Sequence, residues 1–94
     1  MKKLEKSWDY KMYSVSLDKN AKLFLEKLDK PEQERILNKL DELKNNSELG
    51  KPLTGNLAGL WSLRIGKYRA IYRILNEKLV IIVLDMGHRK NIYS

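Results

Sequence analysis

The sequence predicts an α+β protein in which a helical hairpin packs on one face of an antiparallel sheet. Apolar residues recur at helical spacing between residues 18 and 43, whereas they alternate with polar residues in the segments before and after. The strands beyond residue 59 are separated by turns of two or three residues, which join antiparallel neighbours. We therefore predict an N-terminal strand, the helical hairpin and a three-stranded antiparallel meander, in that order.

The first strand is predicted over residues 13–17, because Tyr13, Val15 and Leu17 alternate with two serines. Asp18 comes next, and its short carboxylate side chain is typical of the residue that caps the start of a helix. The helix that begins there carries one apolar stripe, formed by Ala21, Phe24, Leu25 and Leu28.

A second helix is predicted to begin near Pro31, since the first helical turn tolerates a residue without a backbone N–H. The link around Asp29 and Lys30 is so short that the two helices must form a hairpin. The apolar stripe of this second helix comprises Ile36, Leu37, Leu40 and Leu43.

A polar, glycine-containing loop is predicted over residues 45–59. The three strands of the meander follow at residues 60–65, 68–75 and 79–86. The segment from Leu79 to Leu84 is apolar on both faces, so this last strand is predicted to lie inside the sheet.

The length and composition of the chain exclude several classes of protein. The 94 residues suit one domain, predicted to span residues 1–94 with residues 1–11 as a flexible extension. The chain has no cysteine, which excludes disulfide bonds and thiolate metal sites. It contains neither a long apolar run nor a signal peptide, so a cytoplasmic location without a membrane partner is predicted. Because Glu77 and Asp85 are the only carboxylates after Glu48, no metal ion or other cofactor is predicted.

Positive charge concentrates in the second half of the chain. The net charge is +7, and residues 48–94 hold eight Lys and Arg residues against three Asp and Glu. In the predicted strands, Arg64, Arg69 and Arg73 fall on the face that the helices leave open. Guanidinium groups bind phosphate through two hydrogen bonds, which favours a polyanionic partner for this face, although a basic surface also serves solubility.

Three stretches of sequence resemble the RelE group of the RelE/ParE toxin superfamily. They are Lys51-Pro-Leu-Thr-Gly-Asn-Leu57, Leu60-Trp-Ser-Leu-Arg-Ile-Gly-Lys-Tyr-Arg-Ala-Ile-Tyr-Arg73 and Gly87-His-Arg-Lys-Asn-Ile-Tyr93. The resemblance implies the toxin of a type II toxin–antitoxin system, an mRNA interferase that cuts messenger RNA without a metal. It also implies two partners, the decoding site of the 30S ribosomal subunit and a cognate RelB-like antitoxin.

The resemblance also suggests functional residues. Arg64, Arg69, Arg89 and Tyr93 match positions where members of the family have functional arginine and tyrosine residues. Ser62 is a departure, because some members carry a catalytic lysine at this position. Either another cation compensates for the missing lysine, or this protein cleaves RNA more weakly than they do.

Metal-free RNA cleavage requires a proton acceptor for the ribose 2′-OH, a proton donor for the leaving oxygen and cations for the phosphate. Arg69 and Arg64 are predicted to bind the scissile phosphate, and Arg89 to stabilise the charge that develops there. His88, the only histidine, is predicted to act as base or to orient the substrate. Tyr93 is predicted to stack on a base or orient the 2′-OH. The residues predicted to bind RNA along its length are Arg64, Arg73, Lys67 and Lys90.

Other interpretations remain open at this point. Arg73 also suits a surface charge or an antitoxin contact, and His88 and Tyr93 also suit structural packing. Trp61, Tyr68 and Tyr72 resemble base-stacking residues, but alternation places Trp61 and Tyr72 towards the helices, which favours packing in the core. The function could instead be that of a ParE-like gyrase poison, a non-enzymatic nucleic-acid-binding module, or a toxin inactivated by Ser62.

Overall fold

The structure, a computed structural model, describes residues 12–88 as a mixed sheet of five strands with two helices. The order of elements is β1 (Ser14–Leu17), α1 (Lys19–Glu26), α2 (Lys30–Asp41), β2 (Lys51–Pro52), β3 (Trp61–Ile65), β4 (Tyr68–Leu75) and β5 (Val80–His88). Short 3₁₀ turns follow α2 at Glu42–Lys44 and β2 at Gly55–Leu57. The α+β class is confirmed, while the extension predicted for residues 1–11 lies outside the described residues.

The sheet has the strand order β1-β5-β4-β3-β2, and it differs from the prediction at both edges. β1 pairs with β5 in parallel, from Ser14 opposite Val80 to Leu17 opposite Val83, so the prediction of an antiparallel sheet is wrong here. Alternation of side chains shows which residues share a face, but it carries no information on strand direction. β2 was not predicted, because a Lys-Pro pair has no strand pattern of its own.

The helical hairpin is held together by side chains at its ends. Asp18 caps α1 as predicted, its carboxylate accepting a hydrogen bond of 2.9 Å from the backbone N–H of Lys19. The side-chain amide of Gln33 donates to the carbonyl oxygens of Leu25 (3.0 Å), near the end of α1, and of Leu28 (3.1 Å), just beyond it. These bonds fix the link between the helices, as the short connection required.

The helices bury one stripe each against the sheet. Ala21 and Leu25 of α1 and Ile36 and Leu40 of α2 are buried in a core shared with the central strands. Leu37 is 45% exposed, so its predicted place in the core is wrong. It is rotated by about 100° from Ile36 around the helix, and the stripe follows Ile36, Leu40 and Leu43 instead.

The central strands β4 and β5 contain a β-bulge that changes which side chains face the helices. Ile71 lies opposite Asp85 whereas Tyr72 lies opposite Val83, so Leu84 is an extra residue in β5. Ile81 and Val83 before the bulge are buried in the core, and so is Met86 after it. Odd-numbered residues therefore face the helices before the bulge and even-numbered residues after it. β5 lies between β1 and β4, which confirms its predicted interior position.

The opposite face of the sheet carries the arginines predicted for it. Arg64 and Arg73 are exposed and Arg69 is partly buried, whereas Leu63, Ala70 and Tyr72 on the helix side are buried. No helix in the described part of the chain is long and apolar enough to cross a membrane.

Candidate active site

A basic pocket of about 430 Å³ opens beside β3, where β2 pairs only with the first two residues of that strand. Among the described residues that line it, four carry a positive charge and none carries a negative one. Its described lining residues are Lys39, Leu49, Gly50, Lys51, Pro52, Leu53, Ser62, Leu63, Arg64 and Arg69. A concave site with this lining favours an anionic ligand.

Two of the predicted residues meet in the basic pocket. Arg64 on β3 lies directly opposite Arg69 on β4, because a two-residue turn at residues 66–67 fixes the register of the hairpin. The guanidinium of Arg69 donates a hydrogen bond of 3.3 Å to the hydroxyl of Ser62, which orients it within the pocket. The predicted pairing of Arg64 with Arg69 is therefore present in the structure.

Two lysines of the pocket were not predicted. Lys51 of β2 lies directly opposite Ser62 of β3, and its side chain is exposed. Lys39 reaches the pocket from α2, and its ammonium nitrogen is 3.4 Å from a carboxylate oxygen of Glu42. Lys51 begins one of the stretches that carry the family resemblance, whereas no pattern in the sequence distinguishes Lys39 from the other helical lysines.

The segment that leads into β2 is fixed against the sheet by Tyr72. The hydroxyl of Tyr72 donates to the carbonyl oxygen of Ser47 (2.8 Å) and accepts from the backbone N–H of Gly50 (3.0 Å). Burial raises the pKa of this hydroxyl, the hydrogen bond from Gly50 lowers it, and the nearby charge of Glu48 raises it further. A Cβ at position 50 would overlap the carbonyl oxygen of Ser62, so only glycine permits this close approach.

A second depression of about 410 Å³ adjoins the basic pocket, since Lys39 and Arg64 line both. Arg35 adds another cation to this depression, and Glu42 adds one carboxylate. Together the two depressions form a largely basic groove between α2 and the free part of β3. A groove of this kind suits an extended polyanion better than a single small anion.

His88 lies apart from the arginines. It is opposite Tyr68 on the helix side of the sheet, and its ring centroid is 5.3 Å from that of Tyr68 and 6.2 Å from that of Phe24. Arg69 is on the other face, so the structure does not bring His88 together with Arg64 and Arg69. The exposed imidazole makes an edge-to-face contact with the ring of Phe24.

The other aromatic residues behave as core residues. Tyr72 and Tyr68 are buried, and the partly buried ring of Trp61 stacks on Tyr72 with a centroid distance of 6.2 Å. Tyr68 also packs against Phe24 at 5.6 Å. The interpretation of these rings as core packing is confirmed.

The remaining predicted residues lie outside the pocket or outside the described residues. Arg73 is exposed on β4 opposite Ile82, and it does not line the basic pocket. Lys67 is exposed in the β3–β4 turn, with its ammonium nitrogen 5.6 Å from the centroid of the Tyr68 ring. Arg89, Lys90 and Tyr93 lie outside the described residues.

The donor atoms of the pocket suit phosphate rather than a metal ion. Within residues 12–88, no three His, Asp or Glu side chains come together to form a metal site. The guanidinium groups of Arg64 and Arg69 can bind phosphate oxygens, and the two lysine ammonium groups add positive charge without fixed geometry.

Comparison with known proteins identifies the family. Residues 2–93 match the family described as the ParE toxin of the type II toxin–antitoxin system parDE. The chain belongs to this toxin family. The toxin is also similar to a chain of the toxin–antitoxin complex RelBE2 from Mycobacterium tuberculosis, with 32% identity and a TM-score of 0.77. That match covers 83% of the toxin and 99% of the other chain, and the resemblance to the RelE/ParE superfamily is confirmed.

Two further relatives agree with this assignment. A chain of the archaeal RelE–RelB complex from Pyrococcus horikoshii OT3 is 28% identical with a TM-score of 0.69, over 85% of the toxin and 98% of that chain. Toxin RelG of Mycobacterium tuberculosis is 47% identical over 45 residues, which are 48% of the toxin. This alignment spans 52% of RelG, about half the length of that relative.

Proposed function

We propose that the toxin is an endoribonuclease that cleaves messenger RNA on the ribosome, with the basic pocket as its phosphate-binding site. The observation that carries the proposal is the pairing of Arg64 and Arg69 within a pocket whose described lining holds four cations and no acid. Paired guanidinium groups stabilise the extra negative charge on phosphorus in the transition state of phosphoryl transfer.

The proposed reaction needs no external nucleophile. The 2′-oxygen of the ribose attacks the adjacent phosphorus while the bond from phosphorus to the 5′-oxygen breaks. The 2′-OH gives up one proton and the departing 5′-oxygen takes one, so the products are a 2′,3′-cyclic phosphate and a 5′-hydroxyl. Arg69, oriented by Ser62, and Arg64 hold the phosphate in line for attack.

The roles of the residues near the C-terminal end are assigned from the sequence alone. We propose that Arg89 stabilises developing charge and that Tyr93 orients the 2′-OH or stacks on a base. Arg73, Lys67 and Lys90 are proposed to bind RNA away from the cleaved bond. The pocket itself offers cations rather than proton acceptors in its described lining, so positioning of the RNA by the ribosome supplies part of the catalysis.

The proposed partners follow from the same chemistry. A cognate RelB-like antitoxin inhibits the toxin by neutralising the arginine cluster or by displacing the Tyr93 segment, which requires an acidic or amphipathic segment. Leu23 and Leu37 are exposed on the helices and offer apolar contacts to an amphipathic partner. Because its proposed target is the ribosome, we propose that the toxin acts in the cytoplasm.

The decisive experiment is cleavage of a ribosome-bound messenger by the purified toxin, mapped by primer extension. A messenger with a single 2′-deoxynucleotide at the mapped cut site serves as the matched substrate. We expect cuts in phase with codons, 5′-hydroxyl ends, and no cut at the deoxynucleotide. Uncut messenger, or cleavage of the deoxy substrate at the normal rate, contradicts the proposal.

A second candidate function comes from the description of the matching family, which names ParE toxins. ParE-type toxins poison DNA gyrase and do not cut RNA. Incubation of the toxin with gyrase and supercoiled plasmid tests this function, because a gyrase poison leaves linear plasmid with trapped protein. We expect no linear plasmid under conditions in which messenger RNA is cut.

A further inference from the structure

We propose that Lys51 is a phosphate-binding residue of the active site, and that it provides the positive charge that Ser62 lacks. The inference rests on the proposed function and adds a residue to its site. Lys51 and Ser62 are direct partners across the β2–β3 pair, so their side chains emerge on the same face. Both line the basic pocket with Arg64 and Arg69.

The backbone position of Lys51 is fixed by contacts of its neighbours in the sequence, not by contacts of its own side chain. The buried hydroxyl of Tyr72 binds the backbone of Ser47 and Gly50, immediately before β2. Gly50 packs so closely on the backbone of Ser62 that no Cβ fits between them. The Cα of Lys51 is therefore held in register with Ser62 by the body of the sheet, and pre-organised cations lose less entropy on binding.

The charge of Lys51 is available to a ligand. Among the described residues the ammonium group of Lys51 takes part in no ion pair or hydrogen bond, whereas Lys39 is engaged with Glu42 and Lys44 with Asp41. A lysine needs no fixed direction to attract phosphate, since its ammonium group acts as a point charge on a flexible stem. Lys51 lines the same pocket as Arg64 and Arg69, so its charge can act on the phosphate that they bind.

The test compares a variant that loses the Lys51 side chain with a variant in which Lys51 and Ser62 are exchanged. In the ribosome-bound messenger assay, Lys51→Ala is expected to lower the cleavage rate about a hundredfold. The exchange variant Lys51→Ser with Ser62→Lys moves the ammonium group across the strand pair, and it is expected to recover the rate to within about tenfold of wild type. The control is Lys78→Ala in the exposed β4–β5 turn, remote from the pocket, which is expected to cleave at the wild-type rate.

A binding measurement separates contact with phosphate from a structural effect. Affinity for a short single-stranded RNA with one 2′-deoxynucleotide at the cut site is measured against salt concentration. Loss of one phosphate contact in Lys51→Ala is expected to reduce the slope of log affinity against log salt by about 0.7, with no change for Lys78→Ala. A wild-type cleavage rate for Lys51→Ala overturns the inference alone, whereas wild-type toxin that cuts no messenger overturns the proposed function and the inference together.

Discussion

Arg64 and Arg69 lie directly opposite each other on β3 and β4, so the sheet holds two like charges side by side. Like charges on directly opposed residues of an antiparallel pair destabilise a sheet. An anion between them removes the repulsion. The arrangement therefore favours binding over stability, as is common at functional sites.

Replacement of Arg64 by glutamine is expected to stabilise the free toxin while it impairs cleavage. Relief of the repulsion should raise the free energy of unfolding by about 0.5 kcal/mol at low salt, and the gain should shrink at high salt. Cleavage should fall about a hundredfold. Urea unfolding at two salt concentrations measures the first effect, with Arg73→Gln as the control because Arg73 faces Ile82. If both variants change the free energy of unfolding equally, the gain comes from the lower net charge and not from relief of repulsion between Arg64 and Arg69.

The parts of this fold that depend on local pattern could be predicted from the sequence. The cap at Asp18, the buried stripe of α1 and the two-residue turn after Ile65 each follow from residues within a few positions of one another. That turn fixes the register of β3 and β4, which is why the pairing of Arg64 with Arg69 was predictable.

The features that depend on distant contacts could not be predicted in this way. The bulge at Leu84 reverses the alternation of β5, because strict alternation from Ile82 would place His88 on the arginine face. Lys51 joins the site through a two-residue strand whose position depends on Tyr72, a residue 21 positions further along the chain. Neither effect leaves a local pattern in the sequence.

Gly50→Ala is expected to damage both stability and RNA binding. The added methyl group must displace the backbone of Ser62 or of the segment before β2, at a cost of about 2 kcal/mol. Gly55→Ala is the control, since its backbone is left-handed but the space around it is open. It should cost about 1 kcal/mol and leave affinity for the 2′-deoxy RNA unchanged. If the two variants bind this RNA equally well, the close approach of Gly50 does not shape the pocket.

Tyr72→Phe is expected to change how stability depends on alkaline pH. Burial raises the pKa of the Tyr72 hydroxyl above its ordinary value, so the folded toxin keeps this proton after the unfolded chain has lost it. The resulting contribution to stability is complete below the unfolded value of about 10 and is lost as pH rises through the folded value.

Thermal unfolding between pH 7 and pH 11 measures this dependence. Near neutrality the phenylalanine variant should be less stable by about 1 kcal/mol, because the backbone groups of Ser47 and Gly50 lose their hydrogen-bond partner. Above pH 10 the two curves should converge, since only the wild type loses stability through this group. If the stability curves of wild type and Tyr72→Phe stay parallel, the loss of stability at alkaline pH comes from other tyrosines.

His88→Phe is expected to leave cleavage almost unchanged. The phenylalanine ring can keep the contacts of the imidazole with Phe24 and Tyr68, and the arginines lie on the other face of the sheet. The cleavage rate should stay within about twofold of wild type from pH 6 to pH 8, because the imidazole that is removed does not line the basic pocket. His88→Ala, which loses the ring, should lower the free energy of unfolding by about 1 kcal/mol with a similar cleavage rate per folded molecule.

A large loss of cleavage rate in the phenylalanine variant, together with loss of the pH dependence near neutrality, would instead make His88 the proton acceptor predicted from the sequence. The histidine would then have to reach the phosphate around the end of β5 rather than across the sheet.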